Sequence, residues 1–399
     1  MGNERVYAKR IISPDSNIYI SCNACKRREI DSILIEKYLV FNNYKVVKTL
    51  GTANVIIFFT CSFSEEMSLD SYNKLEYYFL NFDHVIVCGC FPTIGMHKAD
   101  FLSNIITIKN DKLQDIETYF PPRSYYLAEI KDGNDIYYDD IFSDDVFLIR
   151  ISRGCLGNCS YCAIKKAIGT HRSKNIDEIL AEVELAISQQ YSYIRLVADD
   201  GGAYGLDVNS NIINLLIQLC KYKKLKGIEL EINPKWALKY KDGLIQIIRD
   251  NPTLSYKITL PIQTASSRIL KLMNREISIQ ELGKLLNELK RISVSNIFLT
   301  THIITGYPTE DRDDLIHTLD FLVENKFDQI NIFPLTLHPS SQLAKEYKSG
   351  SFSIDKNTNY IVDNLLANEY DIIDSSVSQT MQWQRVILRL NRKLHAHEF

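Results

Sequence analysis

One pattern repeats six times from residue 146 onwards, and it restricts the possible folds more than any other feature of the chain. Each repeat is a short apolar segment typical of a buried strand, and helical segments separate the repeats. The predicted strands cover residues 146–151, 193–197, 228–232, 257–260, 297–303 and 329–333. A closed barrel of this kind needs about eight strand–helix units. Six units therefore predict an α/β fold with an open, partial (β/α)6 barrel of the TIM type.

A smaller alternation of strands and helices precedes the barrel. Predicted strands at residues 18–20, 55–59 and 85–87 alternate with helical segments, one of them at about residues 64–80. We interpret residues 1–120 as a small doubly wound α/β domain, residues 121–145 as a polar linker and residues 146–345 as the barrel domain. Helical segments at 357–373 and 380–395 then predict a short helical C-terminal tail over residues 346–399.

The composition excludes several classes of protein. With 45% hydrophobic residues, 16 Gly and 10 Pro in 399 residues, the chain is neither disordered nor collagen-like. Its formal charge of −3 provides no global basic field for non-specific nucleic-acid binding. No apolar run approaches the roughly 20 residues of a membrane span, and no apolar segment typical of a signal peptide follows the N-terminus. We therefore expect a cytoplasmic protein that does not bind membranes.

The strongest chemical signal is a CxxxCxxC motif formed by Cys155, Cys159 and Cys162. It lies in the loop directly after the first barrel strand, where barrel enzymes place their chemistry. Three thiolates at this spacing can bind three irons of a cubane cluster and leave the fourth iron open to a non-protein ligand. The alternatives are three unrelated core thiols or a zinc site, although zinc prefers a closed set of four ligands. The motif thus predicts an iron–sulfur centre.

With this spacing in this place, the sequence resembles the radical S-adenosylmethionine (SAM) enzymes. The resemblance implies a [4Fe-4S] cluster whose open iron is chelated by SAM. It also implies an electron donor such as flavodoxin or ferredoxin, because one-electron reduction cleaves SAM to methionine and a 5′-deoxyadenosyl radical. An aromatic residue precedes the last cysteine of the loop in that family and packs near the adenine, and Tyr161 occupies this position.

A second group of cysteines follows the predicted strands of the first domain. Cys61 follows the strand at 55–59, Cys90 comes just beyond 85–87, and Cys22 and Cys25 come just after 18–20. The carboxyl ends of parallel strands lie along one edge of an open sheet, where such sheets bind ligands. Cysteines from three strand ends can therefore converge on a second cluster. The alternative is that they are ordinary buried thiols.

Three segments of the first domain resemble the cysteine motifs of the methylthiotransferases, relatives of the enzymes that modify tRNA adenosines and a ribosomal protein aspartate. The segments are CKRREIDS at 25–32, TCS at 60–62 and GC at 89–90. The resemblance implies an auxiliary [4Fe-4S] cluster held by Cys25, Cys61 and Cys90. The register to Asp31 and Ser32 favours Cys25 over Cys22, and Cys90 is preferred over Cys88. We interpret Cys22, Cys88 and Cys220 as core or neighbouring thiols.

The resemblance covers roughly residues 17 to 345. The sequence DDGGAYG at 199–205 is similar to a loop in the branch that acts on threonylcarbamoyl-adenosine of tRNA, and PIQTAS at 261–266, MNR at 273–275 and IITGYP at 303–308 match later motifs. Glycines in such loops let backbone approach a ligand, and polar residues near strand ends can line the barrel mouth. The predicted SAM-binding residues are Tyr161, Asp199, Gly201, Gly202, Asn233, Gln263, His302 and Gly306. Each polar residue could instead be a satisfied part of the fold.

The sequence also departs from the family pattern. The family commonly ends in a small RNA-binding β-barrel domain, and the pattern after residue 344 does not predict one. An Arg-Pro-Gly-Thr-like stretch appears as HPSS at 338–341, an Arg-Gly step appears as Ile168-Gly169, and Phe59 stands where an Asn is expected. The cysteine motifs are intact while several positions on the substrate side differ.

These observations favour an enzyme that inserts a methylthio group into an unactivated C–H bond of a peptide or protein side chain, such as a natural-product precursor. The alternative substrate is adenosine 37 of tRNA. On a helical tail, Arg385, Arg389, Arg392 and Lys393 would form a face able to contact phosphates or a solvated amphipathic face. Two further readings are a radical SAM peptide-modifying enzyme of another reaction type and a non-catalytic module that uses its clusters structurally or as a redox sensor.

Overall fold

The computed structural model describes residues 12–95, 105–130, 146–275, 277–292, 296–347, 354–377 and 383–391. The chain divides into two compact units. The first unit comprises residues 1–134 together with the short segments 163–170 and 338–340, and the second comprises the rest of the chain.

The first unit contains a four-stranded parallel sheet with the strand order β1-β2-β3-β4. Its elements are β1 (Ile18–Cys22), α1 (Lys26–Phe41), β2 (Val55–Thr60), α2 (Glu65–Asn81), β3 (His84–Gly89), α3 (Phe91–Ile94), β4 (Ile106–Thr107) and, from the segment 163–170, α4 (Ile164–Ile168). After α1 the chain forms a parallel bridge from Val46 to Ile18, and it then crosses to the other side of β1 to form β2. This reversal of direction confirms the doubly wound arrangement, and it makes the carboxyl ends of β1 and β2 a topological switch point.

Both faces of this sheet are covered, which explains why β2 is apolar up to its last residue, Thr60. All six residues of β2 are buried. Ile57 and Phe59 pack in the cluster that contains the buried residues of α1, whereas Ile56 and Phe58 pack with Leu75 of α2. Alternate side chains of a strand point to opposite faces, so a strand covered on both sides has no position that faces solvent.

The first part of the predicted linker packs against the first unit. Asn42, which follows α1, accepts hydrogen bonds through its side-chain oxygen from the backbone N–H groups of residues 123, 124 and 125. Leu127 is buried in the same core cluster as α1. Residues 131–145 lie outside the described residues, so only the second part of the predicted linker is left without a description.

The second unit carries the repeated alternation. Its elements are β5 (Val146–Arg150), β6 (Ser152–Arg153), β7 (Arg172–Ser173), α5 (Ile176–Ser188), β8 (Tyr193–Val197), α6 (Ile212–Leu219), β9 (Gly227–Glu231), α7 (Pro234–Lys239), α8 (Lys241–Asp250), β10 (Ser255–Gln263), α9 (Ser267–Leu272), α10 (Ile279–Ile292), β11 (Ile297–Thr305), α11 (Arg312–Asn325), β12 (Gln329–Pro334), α12 (Ile354–Leu366), β13 (Tyr370–Val377) and β14 (Trp383–Leu390). The main sheet has the order β13-β14-β12-β11-β10-β9-β8-β5. The six predicted barrel strands are confirmed as β5, β8, β9, β10, β11 and β12, which pair in parallel.

The two faces of the barrel strands differ in chemistry. Ile194 and Leu196 of β8 belong to the apolar core that the helices cover. Arg195, on the other face, pairs with Glu229 of β9, and Lys257 of β10 lies 3.4 Å from the same carboxylate. A polar inner face combined with an apolar outer core is consistent with an open barrel that surrounds a polar ligand rather than a filled interior.

The prediction of a helical tail is right for its first segment only as far as residue 366, because residues 370–373 begin β13, and it is wrong for its second. Residues 354–366 form α12, but residues 370–377 and 383–390 form an antiparallel hairpin whose strand β14 pairs antiparallel with β12. Val386 and Leu388 are fully buried, and the residues next to them along the strand are only partly buried. This two-residue alternation is typical of a strand. The hairpin therefore extends the barrel sheet, and the fold class is otherwise confirmed.

Within the described residues, no helix combines the length and the apolar character that crossing a membrane requires.

Candidate iron–sulfur and SAM centres

The CxxxCxxC loop brings its cysteines together around Gly157. The backbone N–H of Gly157 donates to Cys155 Sγ at 3.1 Å. A Cβ atom at this glycine would lie 3.1 Å from Cys155 Sγ and 3.9 Å from Cys159 Sγ, so both sulfurs flank it closely. Burial and the nearby Asp200 carboxylate raise the pKa of the Cys155 thiol to about 12, with smaller contributions from Cys159 and Cys162. Iron binding must therefore displace a proton from this thiol.

Hydrogen bonds from distant parts of the barrel hold this loop in place. Ser160 Oγ donates to the carbonyl oxygen of Leu272 at 2.9 Å, and Ser160 N–H donates to that of Met273 at 3.1 Å. Before the first cysteine, the N–H of Gly154 donates to the Asp199 carboxylate at 2.8 Å. Because its backbone is anchored at both ends, the loop can present its thiols in a fixed arrangement.

Asp200 lies next to the first cysteine, although the sequence analysis selected its neighbour Asp199. The Cys155 thiol donates to Asp200 Oδ2 at 3.7 Å, and Trp236 Nε1 donates to the same oxygen at 3.2 Å. Burial raises the pKa of this carboxyl group. The only signal in the sequence was its place in the DDGG segment, because Trp236 stands 36 residues further along the chain.

Arg275 forms a second contact with the cysteine loop, at Cys159 and Tyr161. The guanidinium Nη1 of Arg275 lies 3.8 Å from Cys159 Sγ and 3.3 Å from Tyr161 Oη. Tyr161 packs against an apolar cluster that includes Met273 and Tyr307, which Ile304 also joins. The predicted aromatic residue of the loop therefore lies beside the end of β11, where the predicted SAM-binding residue Gly306 is also found.

The remaining predicted SAM-binding residues lie at or near the carboxyl ends of neighbouring barrel strands, as expected. Asn233 caps α7, because its side chain accepts from the N–H of Lys235 at 3.1 Å. Gln263 ends β10 with a φ of 72° and is 9% exposed. His302 points to the same barrel face as Asn331 opposite it and contacts Phe333 edge-on at 5.5 Å between ring centroids. Their assignment to SAM binding stays a prediction.

Gly201 and Gly202 are required for packing within the protein, and their predicted approach to a ligand stays a prediction. A Cβ atom at Gly201 would lie 2.4 Å from the carbonyl oxygen of Glu231, and one at Gly202 would lie 2.4 Å from Trp236 Cβ. Both residues are fully enclosed by protein. The two glycines therefore let the loop after β8 pack against β9 and α7, which places Asp200 beside Cys155.

Several buried polar atoms of the second unit have no hydrogen-bond partner within the described part of the chain. They are His171 Nδ1, Asp200 Oδ1, Tyr204 Oη and Arg275 Nε. Buried polar groups are normally paired because leaving one unpaired costs roughly 1–3 kcal/mol. Asp200 and Arg275 contact cysteines of the loop, and their unpaired atoms fit a polar molecule such as SAM, which carries an ammonium group, a carboxylate and ribose hydroxyls. His171 gave no signal in the sequence.

The first unit places two of its predicted ligands close together. Cys25 is the N-cap of α1, and Cys61 follows β2 as a buried residue. Burial raises the pKa of Cys61 to about 11, and the thiols of Cys25 and Cys22 add smaller increases, so all three lie within electrostatic range. Ser71 of α2 fixes Cys61 by accepting from its N–H at 3.1 Å and donating to its carbonyl oxygen at 2.7 Å.

Cys90 follows the neighbouring strand, and a glycine makes its position possible. Thr60 and Gly89 are register partners on β2 and β3, so Cys61 and Cys90 leave the sheet at the same level. Gly89 has a φ of 88°, and a Cβ atom there would lie 2.3 Å from the carbonyl oxygen of Thr60. Asn110 Nδ2 lies 3.9 Å from Cys90 Sγ. Cys88 is buried in the apolar cluster opposite Val87, which agrees with its interpretation as a core thiol.

His338, which replaces the family's Arg, reaches the loop after Cys61. Its Nδ1 accepts from the N–H of Ser340 at 3.0 Å, so Nε2 carries the proton and donates to the carbonyl oxygen of Ser62 at 3.0 Å. Burial lowers the pKa of this imidazole. A neutral histidine therefore supports the backbone of the residue after Cys61.

Within the described residues, no three side chains of His, Cys, Asp and Glu are grouped closely enough to hold one metal ion. The thiolates of a cubane cluster each bind a different iron atom. A cubane site is therefore not a single-ion site, and the two cysteine groups fit its donor set by their chemistry and their place at strand ends.

Each of the two domains of the chain matches a known protein family. Residues 149–322 match the Radical SAM superfamily, and residues 17–105 match the uncharacterized protein family UPF0004. The ribosomal protein uS12 methylthiotransferase RimO of Citrifermentans bemidjiense is 28% identical over 330 residues, which cover 77% of this chain and 72% of that protein. The probable threonylcarbamoyladenosine tRNA methylthiotransferase of Methanocaldococcus jannaschii is 27% identical over 360 residues, which cover 88% of this chain and 83% of that protein.

Among solved structures, the radical SAM methyltransferase TsrM from Kitasatospora setae aligns with a TM-score of 0.60 over 95% of this chain and 86% of its own. Its sequence identity is 9%, so this likeness concerns the fold alone. The fold, the cysteine loop and the superfamily match define a radical SAM enzyme. The two domain matches and these relatives support the methylthiotransferase family, and thus an enzyme that transfers a methylthio group with the help of [4Fe-4S] clusters and SAM.

Proposed function

We propose that this enzyme inserts a methylthio group at an unactivated C–H bond of a protein or peptide side chain, such as a natural-product precursor. The radical-generating cluster would be held by Cys155, Cys159 and Cys162, and the auxiliary cluster by Cys25, Cys61 and Cys90. Members of the family that are similar to this chain carry names that specify either a ribosomal protein or tRNA as the substrate. The substrate class is therefore the point that the proposal adds.

The bound clusters and SAM supply a radical that removes a hydrogen atom and a sulfur source for the resulting carbon. The residues around the cysteine loop would bind and orient the ligand and exclude water. The Asp200 carboxylate is an acceptor suited to a cationic group such as an ammonium. Tyr161 and its apolar neighbours offer a contact for a flat ring and exclude water. The Gly306 N–H donates to Glu310 at 2.7 Å, which fixes the loop after β11.

The main support for a protein or peptide substrate is the charge distribution of the C-terminal hairpin. Arg385 forms an ion pair with Asp374, and Asp371 is the register partner of Arg389. These are the two described residues of the face predicted to contact phosphates, and each has an aspartate beside it on β13. Because neighbouring carboxylates offset a cation's attraction for phosphate, this hairpin favours a substrate without a phosphate backbone. The net charge of −3 supports the same choice.

A tRNA substrate is the second candidate, and two observations favour it. The segment Gly202-Ala203-Tyr204-Gly205 resembles the tRNA branch, and the probable tRNA enzyme of Methanocaldococcus jannaschii matches over most of this chain. With either substrate, the enzyme needs a low-potential donor such as flavodoxin or ferredoxin and a reducing cytoplasm that keeps its thiols free.

The test uses anaerobically reconstituted enzyme, a reductant and SAM with a labelled methyl group. Three substrate pools are supplied: host tRNA, ribosomal proteins, and peptides encoded beside the gene. Mass spectrometry then locates any labelled methylthio group. We expect label in a protein or peptide side chain, whereas label in a tRNA adenosine would overturn the choice of substrate.

Two controls separate the reaction from its alternatives. The Cys159→Ala variant should lose SAM cleavage and all product, whereas Cys220→Ser, which alters a half-buried thiol beside Tyr256, should keep both. A modified peptide that contains no added sulfur would identify another type of radical SAM reaction. Failure of a fully loaded enzyme to cleave SAM would support the non-catalytic reading.

A further inference from the structure

Arg275 is a buried cation that ordinary packing does not explain. It follows α9 as part of the MNR motif and is 8% exposed. Its Nη2 donates to the carbonyl oxygen of Pro261 at 2.5 Å, while Nη1 lies near Cys159 Sγ and Tyr161 Oη at 3.8 and 3.3 Å. Its Nε has no partner within the described part of the chain. The guanidinium is therefore held between the cysteine loop and the end of β10.

The described residues do not give this cation a carboxylate in an ion pair. Asp200 acts on it electrostatically from a distance, and beyond the Tyr161 hydroxyl its neighbour is the sulfur of Cys159, which we predict to be a cluster ligand. Burying an unpaired cation costs several kcal/mol unless an anion compensates it. An iron–sulfur cluster with thiolate ligands is such an anion. The position of Arg275 is thus explained if the cluster supplies the missing negative charge.

We propose that Arg275 is a positioning residue that raises the reduction potential of the cluster bound by Cys155, Cys159 and Cys162. The inference rests on the proposed function, because it takes these three cysteines as the ligands. Reduction moves one electron from a one-electron donor, such as a reduced flavodoxin or dithionite, to the cluster, and no bond is formed or broken. The added negative charge is stabilised by the guanidinium beside Cys159, as hydrogen bonds and charges near the sulfurs are known to tune such clusters.

The charge of Arg275 matters more in this proposal than its shape. Pairing of charges strengthens as the surroundings exclude water, and Arg275 is almost fully buried. The hydrogen bonds to Pro261 and Tyr161, by contrast, depend on the planar fork of the guanidinium. A purely structural residue would fix Tyr161 without changing the potential. The two roles can therefore be separated by replacing Arg275 with a charged and with a neutral side chain.

The variants are Arg275→Gln, which removes the positive charge, and Arg275→Lys, which keeps the charge on an ammonium group instead of a planar guanidinium. Lys271→Gln is the matched control, because it removes one positive charge from an exposed position on α9, four residues away. All are made in the full chain with Cys25, Cys61 and Cys90 replaced by Ala, so that one cluster contributes to the signal. Iron and sulfide content and the potential measured by EPR-monitored titration are compared under anaerobic conditions.

We expect Arg275→Gln to lower the ratio of reduced to oxidised cluster at least tenfold at a fixed solution potential, a shift of 59 mV for a one-electron couple. Arg275→Lys should retain most of the wild-type ratio, and Lys271→Gln should leave it unchanged. Equal ratios in wild type and a fully loaded Arg275→Gln variant would refute the proposal. So would equal losses in Arg275→Gln and Arg275→Lys, because shape rather than charge would then matter.

The failure of this inference can be distinguished from that of the proposed function. If the parent protein with Arg275 intact binds no iron, the three cysteines are not the ligands and both conclusions fall. If the parent binds iron and cleaves SAM but its potential does not depend on the charge at position 275, only the inference falls. If Arg275→Gln does not bind iron, the reduction potentials of Arg275→Lys and Lys271→Gln are compared instead. A potential clearly lower in Arg275→Lys than in Lys271→Gln would contradict the proposal.

Discussion

Cys22 is the last residue of β1 and Cys25 stands three residues further along, and both thiols act electrostatically on Cys61. Their positions differ in one respect. Cys25 is the N-cap of the 16-residue helix α1, whose positive end favours a nearby anionic group such as an iron–sulfur cluster. Burial raises the pKa of Cys22, although a hydrogen bond from the Ser32 side chain partly opposes this. We therefore expect Cys25 rather than Cys22 to bind iron.

Replacing these two cysteines one at a time should give different iron contents. We expect Cys25→Ala to lose the auxiliary cluster, about four irons per chain, and to keep the cluster of the CxxxCxxC loop. Cys22→Ala should retain both. Iron and sulfide are measured per chain after anaerobic reconstitution, with far-ultraviolet circular dichroism as the check on folding. If only Cys22→Ala loses iron, Cys22 is the ligand of the auxiliary cluster and Cys25 is not.

The residues of the site could be predicted from the sequence only where the signal is local. The three cysteines of the loop lie within eight consecutive residues, and their spacing alone indicates iron. Arg275 contacts Cys159 across 116 residues of sequence, and the sequence does not show which side chains the barrel brings together at such separations. His171 and Asp200 were missed for the same reason, and the packing role of Gly201 and Gly202 depends on β9 and α7, which are distant parts of the chain.

Among the elements, the barrel strands were predictable and the C-terminal hairpin was not. Strands such as β8 are bounded by helical segments, so the repeat itself identifies them. In β14, Arg385 and Arg389 are four residues apart and flank an apolar run, a pattern that a helix face also shows. The decisive feature is the pairing of Ile330 with Leu388 across β12 and β14, and a pairing between such distant segments is not visible in the sequence.

The hairpin should contribute to the stability of the second unit through its buried face. Leu388 is fully buried in the main core cluster, whereas Ile373 on β13 is 44% exposed. We expect Leu388→Ala to lower the free energy of unfolding by about 2–5 kcal/mol and Ile373→Ala to change it by less than about 0.5 kcal/mol. Denaturant titration followed by circular dichroism measures both. Similar small effects for the two variants would mean that the hairpin does not pack as described.

At the scale of the whole chain, one carboxyl group joins the tail to the barrel mouth. Glu310 Oε2 accepts from the N–H of Gly306 at 2.7 Å and from Asn357 Nδ2 of α12 at 2.9 Å. Burial raises the pKa of Glu310 to about 7, and nearby Asp314 adds to the increase. Arg268 and the two hydrogen bonds oppose the shift without cancelling it. The group therefore ionises near neutral pH in the folded protein.

This raised pKa makes the stability of the second unit depend on pH in a definite direction. The unfolded chain ionises Glu310 near its ordinary value of 4.5, so between that pH and about 7 the folded state alone holds the proton. Stability from this group is therefore fully present below pH 4.5 and is lost as the pH rises to about 7, with an upper bound of about 3 kcal/mol.

Glu310→Gln should remove this dependence while it keeps an oxygen that accepts from Gly306 and Asn357. We expect the melting temperature of wild type to fall relative to the variant as the pH rises from 5 to 8, since only wild type has to ionise this half-buried group. Differential scanning calorimetry across this range measures the difference. A matched variant, Glu324→Gln on α11, removes a charge elsewhere, and its melting temperature should change with pH as that of wild type does. If the melting temperature of Glu310→Gln also changes with pH as that of wild type does, the carboxyl group is not held neutral by burial, and its link between α12 and the barrel mouth does not depend on its protonation.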